Sequence, residues 1–496
     1  MDSLDTEDDL DAVLIASGFG GFNVIMGFIS LFVSMAIIFC TSIFSYAMTS
    51  MECELSLTNA ERGTLNGMVY FGMIAGATFW ALISDNLGRR PVIILSHIGD
   101  AIFGNILALS QNFPTMCVCK FLSGLCICGG YSSFLTYLAE VHSSSKRTPM
   151  MFLCGFMLNI ASGILPIMAL IILPSDFKLG NDKFSYASWQ LFLTLGTIPS
   201  IIVAIGFGFM PESPKFDIHH GKNARAMNTL KKIQYLNGKR GQELPDITLY
   251  KMEKARFDFK GMVNAVKKHH LIALANLVVI EVCILMCQNT IRLWQPTFVQ
   301  IARQQMENVT FCGVVQELNR PKPTPTTVAP NMTNVNAEQV CKSNVKASAY
   351  LGNLYICILC FDGFLIAMLL AGHYDVVKML VGMTIISSLI TIAFLLAESY
   401  LGVLTVLGLY LCVEYVSAMA VNNLAVHYFP TIVRTTFLSI IQFSGRFGSL
   451  VGNHLLPQLM GLGCYYVIGW LIASDITTVL ASLLLPKPQK RQVVMI

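Results

Sequence analysis

The sequence predicts an all-α membrane protein with twelve transmembrane helices in two six-helix bundles and both termini in the cytoplasm. Three observations predict it. Of 496 residues, 54% are hydrophobic and only 12% charged, about half the charged share of a soluble domain. Mean hydropathy is +0.62. Apolar runs long enough to cross a bilayer recur six times before a long polar stretch and six times after it.

The first 20 residues hold six acids and no base. They lack the basic start of a cleavable leader, so 1–21 reads as an acidic cytoplasmic tail in water. Spans follow near 22–48, 62–84, 91–110, 115–139, 150–173 and 189–210, forming an N-terminal bundle over 22–210. Residues 211–269 carry thirteen Lys/Arg against six Asp/Glu. They read as a cytoplasmic linker of short amphipathic helices, with "RAMNTLKKIQYL" spaced for a helix lying under the bundle. The C-terminal bundle covers 270–485, with spans near 270–298, 348–371, 377–397, 401–424, 435–460 and 464–485. An outer loop fills 299–347, and 486–496 is a basic cytoplasmic tail.

Loop charge sets the orientation. Arg89, Arg90, Lys146, Arg147, the 211–269 stretch, Arg434, Lys487, Lys490 and Arg491 all fall on one side if both termini are cytoplasmic. The opposite side offers its own check. The sequons at Asn308 and Asn331 both lie in the outer loop, where glycosylation requires them. Cys312 and Cys341 flank a proline- and threonine-rich run there and are a candidate disulfide pair, with Cys53 and Cys464 as competitors. Most of the fifteen cysteines lie inside apolar runs and behave as small hydrophobes. They make no metal-ligand set, so no metal and no cofactor is expected. A net charge of +4 is too small to suggest nucleic acid. An ATP-driven pump would need G-x-x-x-x-G-K-[ST], which does not occur. No nucleophile–base arrangement points to an enzyme.

The second span ends in "GMIAGATFWALISDNLGRRP". Gly72 and Gly76 let two helices approach closely. Asp85, Gly88, Arg89 and Arg90 place a carboxylate and two guanidiniums around a glycine turn, a clasp for neighbouring helix ends. With six plus six spans, this stretch resembles the major facilitator superfamily, whose hallmark is G-x-x-x-D-x-x-G-R-R/K between helices two and three. "KFLSGLCICGG", "MPESPKF" and "YFPTIVRTT" resemble further signatures of it, the second shared with sugar porters and organic ion transporters. "GFGGFN", "YLAEVHSSSKR" and the glycosylated loop resemble its synaptic vesicle glycoprotein 2-like branch. Departures are plain. Helix one has no acid at depth, Lys120 stands where helix four carries arginine, Lys215 replaces the arginine after "PESP", and His427 replaces an acid before "YFPT". In the second half, "AGHYDVVKM" keeps Asp375 but puts Lys378 and Met379 where Gly-Arg belongs. The resemblance implies a cytoplasmic gate built from Asp85, Gly88, Arg89, Arg90, Glu140, Arg147, Glu212 and Arg434.

Charge at membrane depth is expensive, about 2.5–3.5 kcal/mol per group on insertion scales, and therefore informative. It comprises Asp100, Glu281, Asp362, Glu414, Arg446 and Asp475, with Arg292 nearer the outer end of its span. Ser439, Gln442, Arg446, Ser449 and Asn453 share one helix face, and Gly445, Gly448 and Gly452 form a stripe beside it. Glu281, Gln288, Arg292 and Gln295 share a face of the seventh span. The resemblance implies that Glu281 and Glu414 face a central cavity, that Asp362 and Arg446 reach it from its sides, and that Asp100 and Asp475 serve helix–helix contacts. The solute- and ion-binding candidates are thus Glu281, Gln288, Arg292, Asp362, Glu414, Gln442 and Arg446. The expected function is secondary active transport, by alternating access, of a small organic cation or neutral solute, coupled to protons through a buried carboxylate. The expected setting is a monomer in the plasma membrane or a secretory or synaptic-type vesicle. The alternative is a transporter-shaped glycoprotein that does not transport and acts as a regulator or binding partner.

Overall fold

A computed structural model describes residues 3–51, 55, 57–175, 177–181, 184–239, 244, 266, 268–305, 309–320, 347–370, 375–429 and 431–486. Seventeen helices and one hairpin follow one another along these residues. The helices are α1 (Ser3–Ala16), α2 (Gly21–Met51), α3 (Asn59–Leu87), α4 (Arg89–Leu109), α5 (Phe113–Glu140), α6 (Ser144–Ile172), α7 (Ser188–Leu195), α8 (Ile198–Phe209), α9 (Pro214–His219) and α10 (Asn223–Leu236). After them come α11 (Lys268–Gln304), α12 (Phe311–Asn319), α13 (Ala347–Leu370), α14 (Val376–Ala393), α15 (Tyr400–Tyr428), α16 (Thr431–Leu462) and α17 (Cys464–Leu483). Among the described residues, ten segments are long and apolar enough to cross a membrane: α2 to α6, the α7–α8 pair, α11, α14, α15 and α17. Helices α13 and α16 occupy the positions of the other two expected spans.

Local chemistry sets the helix starts. Thr58 and Glu61 form a reciprocal capping box before α3: the Thr58 N–H and hydroxyl donate to Glu61, and the Glu61 N–H donates to the Thr58 hydroxyl. The side chains of Asn112, Ser213, Thr310, Asp375 and Ser399 cap α5, α9, α12, α14 and α15. Pro114 and Pro214 sit in first turns, where no N–H is missed.

Three features differ from the sequence reading. An antiparallel hairpin, β1 (Lys178–Asn181) with β2 (Phe184–Ala187), interrupts the all-helical chain; its Gly-Asn-Asp stretch is the turn signal. The acidic start is a docked helix. Leu10, Val13 and Leu14 share one face of α1 and are buried with Ile218, Ala226 and Leu230, because their spacing of three and four residues aligns them. Finally, Cys312 is disulfide-bonded to Cys464 in place of the expected Cys341. The α12 helix carries Cys312 onto the start of α17, leaving the Cα atoms 5.1 Å apart, within bridging reach. Cys341, Asn308 and Asn331 lie outside the described residues. With a separation of 152 residues, the bridge should contribute about 4–5 kcal/mol by loop-closure entropy. Cys464→Ser should therefore lower the thermal midpoint of the purified protein and leave Cys312 open to maleimide; an unchanged midpoint would contradict this.

The chain divides into two compact units. The first comprises Met1–Ile43, Gly72–Leu165 and Leu193–Asp258, and the second Phe44–Phe71, Pro166–Phe192 and Phe259–Ile496. The division does not fall at the chain's midpoint. Parts of α2 and α3 belong to the second unit because they pack on its helices: a Cβ on Gly63 would collide with Asn453 and Pro457, and Asn59 donates to the Leu318 carbonyl at 2.8 Å. Within the first unit a Cβ on Gly72 or Gly76 would strike the backbone of Phe121 or Leu125 on α5, which is how that glycine pair is used.

Candidate functional site

In the first unit the α3–α4 turn is built around Glu212. Gly88 has φ +104°, a conformation that favours glycine, and a Cβ there would overlap the Glu212 carboxylate. The turn presents the first N–H groups of α4 to that carboxylate. Arg89 N–H donates at 3.1 Å, Arg90 N–H at 3.2 and 3.3 Å, and Ser213 N–H at 2.8 Å. A buried acid thus caps a helix N-terminus, where backbone partial charge favours it. Burial pushes the Glu212 carboxyl above its ordinary range, and the Ser213, Arg90 and Arg89 N–H groups oppose that only in part. Arg89 turns its guanidinium to Ser84 O (2.9 Å), Asp85 (3.2 Å) and Glu140 (3.3 Å), and stacks over Phe216 with 5.4 Å to the ring centre. Arg90 donates to the Phe207 and Gly208 carbonyls at 3.0 and 2.6 Å, holding the end of α8.

Six of the eight expected gate residues therefore meet: Asp85, Gly88, Arg89, Arg90, Glu140 and Glu212. They contribute unequally. The Asp85 side chain is 74% exposed, so its pairing adds little. Arg147, expected in the same gate, is held elsewhere. Its Nε donates to the Ala139 carbonyl at 2.9 Å, an open acceptor at the end of α5, and Glu140 takes Arg89. Arg434 lies on α16, in the second unit.

The first unit also buries a polar cluster at membrane depth. Asp100 on α4 accepts from Ser123 of α5 at 2.5 Å and from Ser200 of α8 at 2.6 Å. Lys120, 1% exposed, donates to the Cys40 carbonyl of α2 at 2.7 Å. Asp100 thus joins neighbouring helices.

In the second unit α11 and α16 run in close contact. A Cβ on Gly448 would come within 2.6 Å of the Val282 carbonyl, and one on Gly445 within 2.8 Å of Glu281. Gly452 faces Met286 and Thr290 in the same way. Glycine is what allows this approach. The contact brings the two polar edges together. Glu281, 1% exposed, accepts from Gln442 at 3.3 Å, and Gln442 also donates to Asn422 of α15 at 2.5 Å. Asn289 donates to Ser449 at 2.8 Å. Farther along α11, Arg292 donates to the Tyr70 hydroxyl at 3.2 Å and Gln295 to Asn353 at 3.1 Å. Buried Glu281 Oε2, Gln288 Oε1 and Arg292 Nε have no hydrogen-bond partner among the described residues.

Glu414 is placed differently from its expected cavity position. It accepts from Ser387 of α14 at 2.6 Å, and its electrostatic neighbour is Asp475 of α17, which accepts from Ser388 at 3.1 Å. Its partners are thus α14 and α17 rather than the polar edge of α11. Asp362 is exposed on α13, and Arg446 is half-buried one turn beyond Gln442. Sequence reasoning missed Tyr70 and Asn422. Asn422 could have been found as a polar side chain in an apolar span; Tyr70, on a span rich in aromatics, carries no such signal.

The sequence and the fold have counterparts among known proteins. Synaptic vesicle glycoprotein 2C of Mus musculus is 30% identical over 213 residues, 42% of this chain and 29% of that protein. Synaptic vesicle glycoprotein 2A of Homo sapiens is 28% identical over 231 residues, 46% of this chain and 31% of that protein. The alignments span about three tenths of the length of those relatives. Among solved structures, a partially occluded inward-open conformation of the xylose transporter XylE from E. coli superimposes with a TM-score of 0.64 at 13% identity, covering 93% of this chain and 96% of that one. A D-xylose–proton symporter gives 0.63 at 14% identity, covering 94% and 97%. These likenesses show a major facilitator fold. Residues 13–300, more than half of the chain and including the whole Glu212 clasp, match the sequence profile described as "Sugar (and other) transporter", and this integral multi-pass membrane protein therefore belongs to that family.

Proposed function

We propose that the chain is a secondary active carrier that moves a small organic solute by alternating access. It crosses the membrane twelve times, with both termini cytoplasmic, and works as a monomer in a vesicle or plasma membrane. The Glu212–Arg89–Glu140 clasp is its cytoplasmic gate. The solute meets the edge formed by Glu281, Gln288, Arg292, Gln442 and Arg446. One observation carries this reading: Glu281, Gln442 and Asn422 link three helices at membrane depth while Glu281 Oε2 and Gln288 Oε1 stay buried without partners among the described residues. Polar atoms left unsatisfied there are costly for packing alone and suit an occupant that supplies the missing bonds. Glu281 is the proton-carrying group, since Glu414 and Asp475 are committed to serines of α14. The named xylose–proton symporter among the structural counterparts supports proton coupling.

With Glu414 held by Ser387, Glu281 is the one acid named at an edge that also carries Arg292 and Arg446, so charge there gives no preference for a cationic solute. Proton-driven uptake of a solute library into proteoliposomes tests the carrier. Glu281→Gln and Arg446→Gln should each cut uptake at least 10-fold while the protein still inserts. Normal uptake by both would sink this site.

The relatives named as vesicle glycoproteins favour a second reading, a protein that has kept the shape and lost transport. Asp375 fits it: its carboxylate caps α14 through Val377 N–H at 3.0 Å, with Lys378 where Asp85's loop has its glycine. Absence of any driven uptake by folded protein would favour it.

A further inference from the structure

Arg292 lies on α11 one turn beyond Gln288. A guanidinium has five N–H donors. One is used, on the Tyr70 hydroxyl at 3.2 Å. Among the described residues its Nε is buried without an acceptor, and the amide oxygen of Gln288, a residue 2% exposed, is buried without a donor. Among the described residues no salt bridge includes Arg292. Tyrosines lie around it: Tyr70 of α3, which it contacts, with Tyr415 of α15 and Tyr46 of α2 nearby. Glu281 is eleven residues away on the same helix, about 16 Å along its axis, and is engaged with Gln442.

We propose that Arg292, with the hydroxyls of Tyr46, Tyr70 and Tyr415, binds the carboxylate of a small organic acid. A cation in a membrane span ordinarily comes with a protein anion or reaches the interface. No protein anion pairs with this one among the described residues, and the groups beside it are phenols, whose O–H can donate to an anion. The planar fork of arginine fits a carboxylate through two parallel hydrogen bonds, and the phenols supply the others. One guanidinium matches one negative charge, which favours a monoanion over a phosphate dianion. The inference rests on the carrier reading of the α11 edge and names the charged end of its solute.

The test uses the full-length protein in nanodiscs and two matched pairs of probes: benzoate with benzamide, and glucuronate with glucose. Binding is followed by calorimetry and thermal shift for wild type, Arg292→Gln, Arg292→Lys and Tyr415→Phe. At least one carboxylate should bind saturably, at least 10-fold tighter than its neutral partner. Arg292→Gln should erase that preference, and Arg292→Lys and Tyr415→Phe should weaken it. The last two guard against misfolding of the first. Equal binding of charged and neutral probes, or an unchanged preference in folded Arg292→Gln and Tyr415→Phe, overturns the assignment. Glucose binding independent of Arg292 overturns it while leaving the carrier standing. Binding of none of the four overturns it too, and uptake in the Glu281→Gln comparison then decides the carrier separately.

Discussion

Replacing Glu212 by alanine should cost about 3–5 kcal/mol and open the turn between α3 and α4. The carboxylate, 3% exposed, accepts three backbone N–H groups, from Ser213, Arg89 and Arg90. Each donor left buried and unpaired costs about 1–3 kcal/mol, which puts the lower end at about 3 kcal/mol. Losing a buried acid from a charged network reaches about 5 kcal/mol. Gly88→Ala should act on the same contact from the other side, since its Cβ enters the space of the carboxylate and its φ of +104° becomes strained. Glu212→Gln separates shape from charge, because an amide oxygen still accepts these bonds. The pH dependence has a definite sign. The Glu212 carboxyl is raised in the folded protein, so the folded state holds its proton more tightly than the unfolded chain. Its contribution to stability is full below about pH 4.3, the ordinary glutamate value, and is lost as pH rises through the raised folded value. Thermal midpoints in detergent across that window should therefore fall with pH in wild type more steeply than in Glu212→Gln. A midpoint for Glu212→Ala within a degree of wild type would refute the clasp.

What was legible in the sequence follows from which physics is local. Span positions rest on runs of apolar residues that any bilayer demands, so α2 to α6 stand where hydropathy puts them. The α3–α4 clasp was legible because Asp85, Gly88, Arg89 and Arg90 are neighbours in sequence, and a glycine between charges advertises an unusual turn. Its distant member, Glu212, came from the "PESP" resemblance and could not have been found from spacing. Arg147 was expected in the same gate as Glu140, but the helix end at Ala139 offers it an open carbonyl, a contact that spacing does not reveal. Glu414 shows the limit most clearly. Its depth can be counted along the helix, but which neighbour it faces depends on rotation about the helix axis. Ser387 and Ser388 of α14, and not the polar edge of α11, decide that. The disulfide fails to be legible for the same reason: the sequence offers Cys53, Cys341 and Cys464 as partners for Cys312, and α12, an element with no hydropathy signal, carries Cys312 to Cys464.

The largest single-residue effect should come from Gly448→Leu, which wedges α11 and α16 apart. The glycine lies where α16 crosses the backbone of α11, and its Cβ alone would sit 2.6 Å from the Val282 carbonyl and 3.2 Å from the Val282 Cα. Backbone does not yield as a side chain tip does, so the helices must separate. Overpacking of this kind costs about 1–3 kcal/mol when the surroundings can adjust and more when they cannot. Here separation also breaks dependent contacts, among them Gln442 to Glu281 and Asn289 to Ser449, whose lengths of 3.3 and 2.8 Å exist only at this spacing. A Leu that merely added apolar surface in a bilayer would do no such harm, and Gly469 provides that control. It lies on α17 with nothing within 4 Å of a Cβ, so Gly469→Leu should leave the midpoint within a degree or two. Gly448→Ala should fall between the two, since one methyl already makes the forbidden contact. Midpoints and uptake measured together then distinguish two roles for the glycine stripe. If Gly448→Ala lowers uptake at least 10-fold while still folding, the stripe sets the geometry of the polar edge. If stability and uptake fall in proportion, it is a packing seam, and the Glu281–Gln442 contact would be a consequence of close packing rather than its purpose.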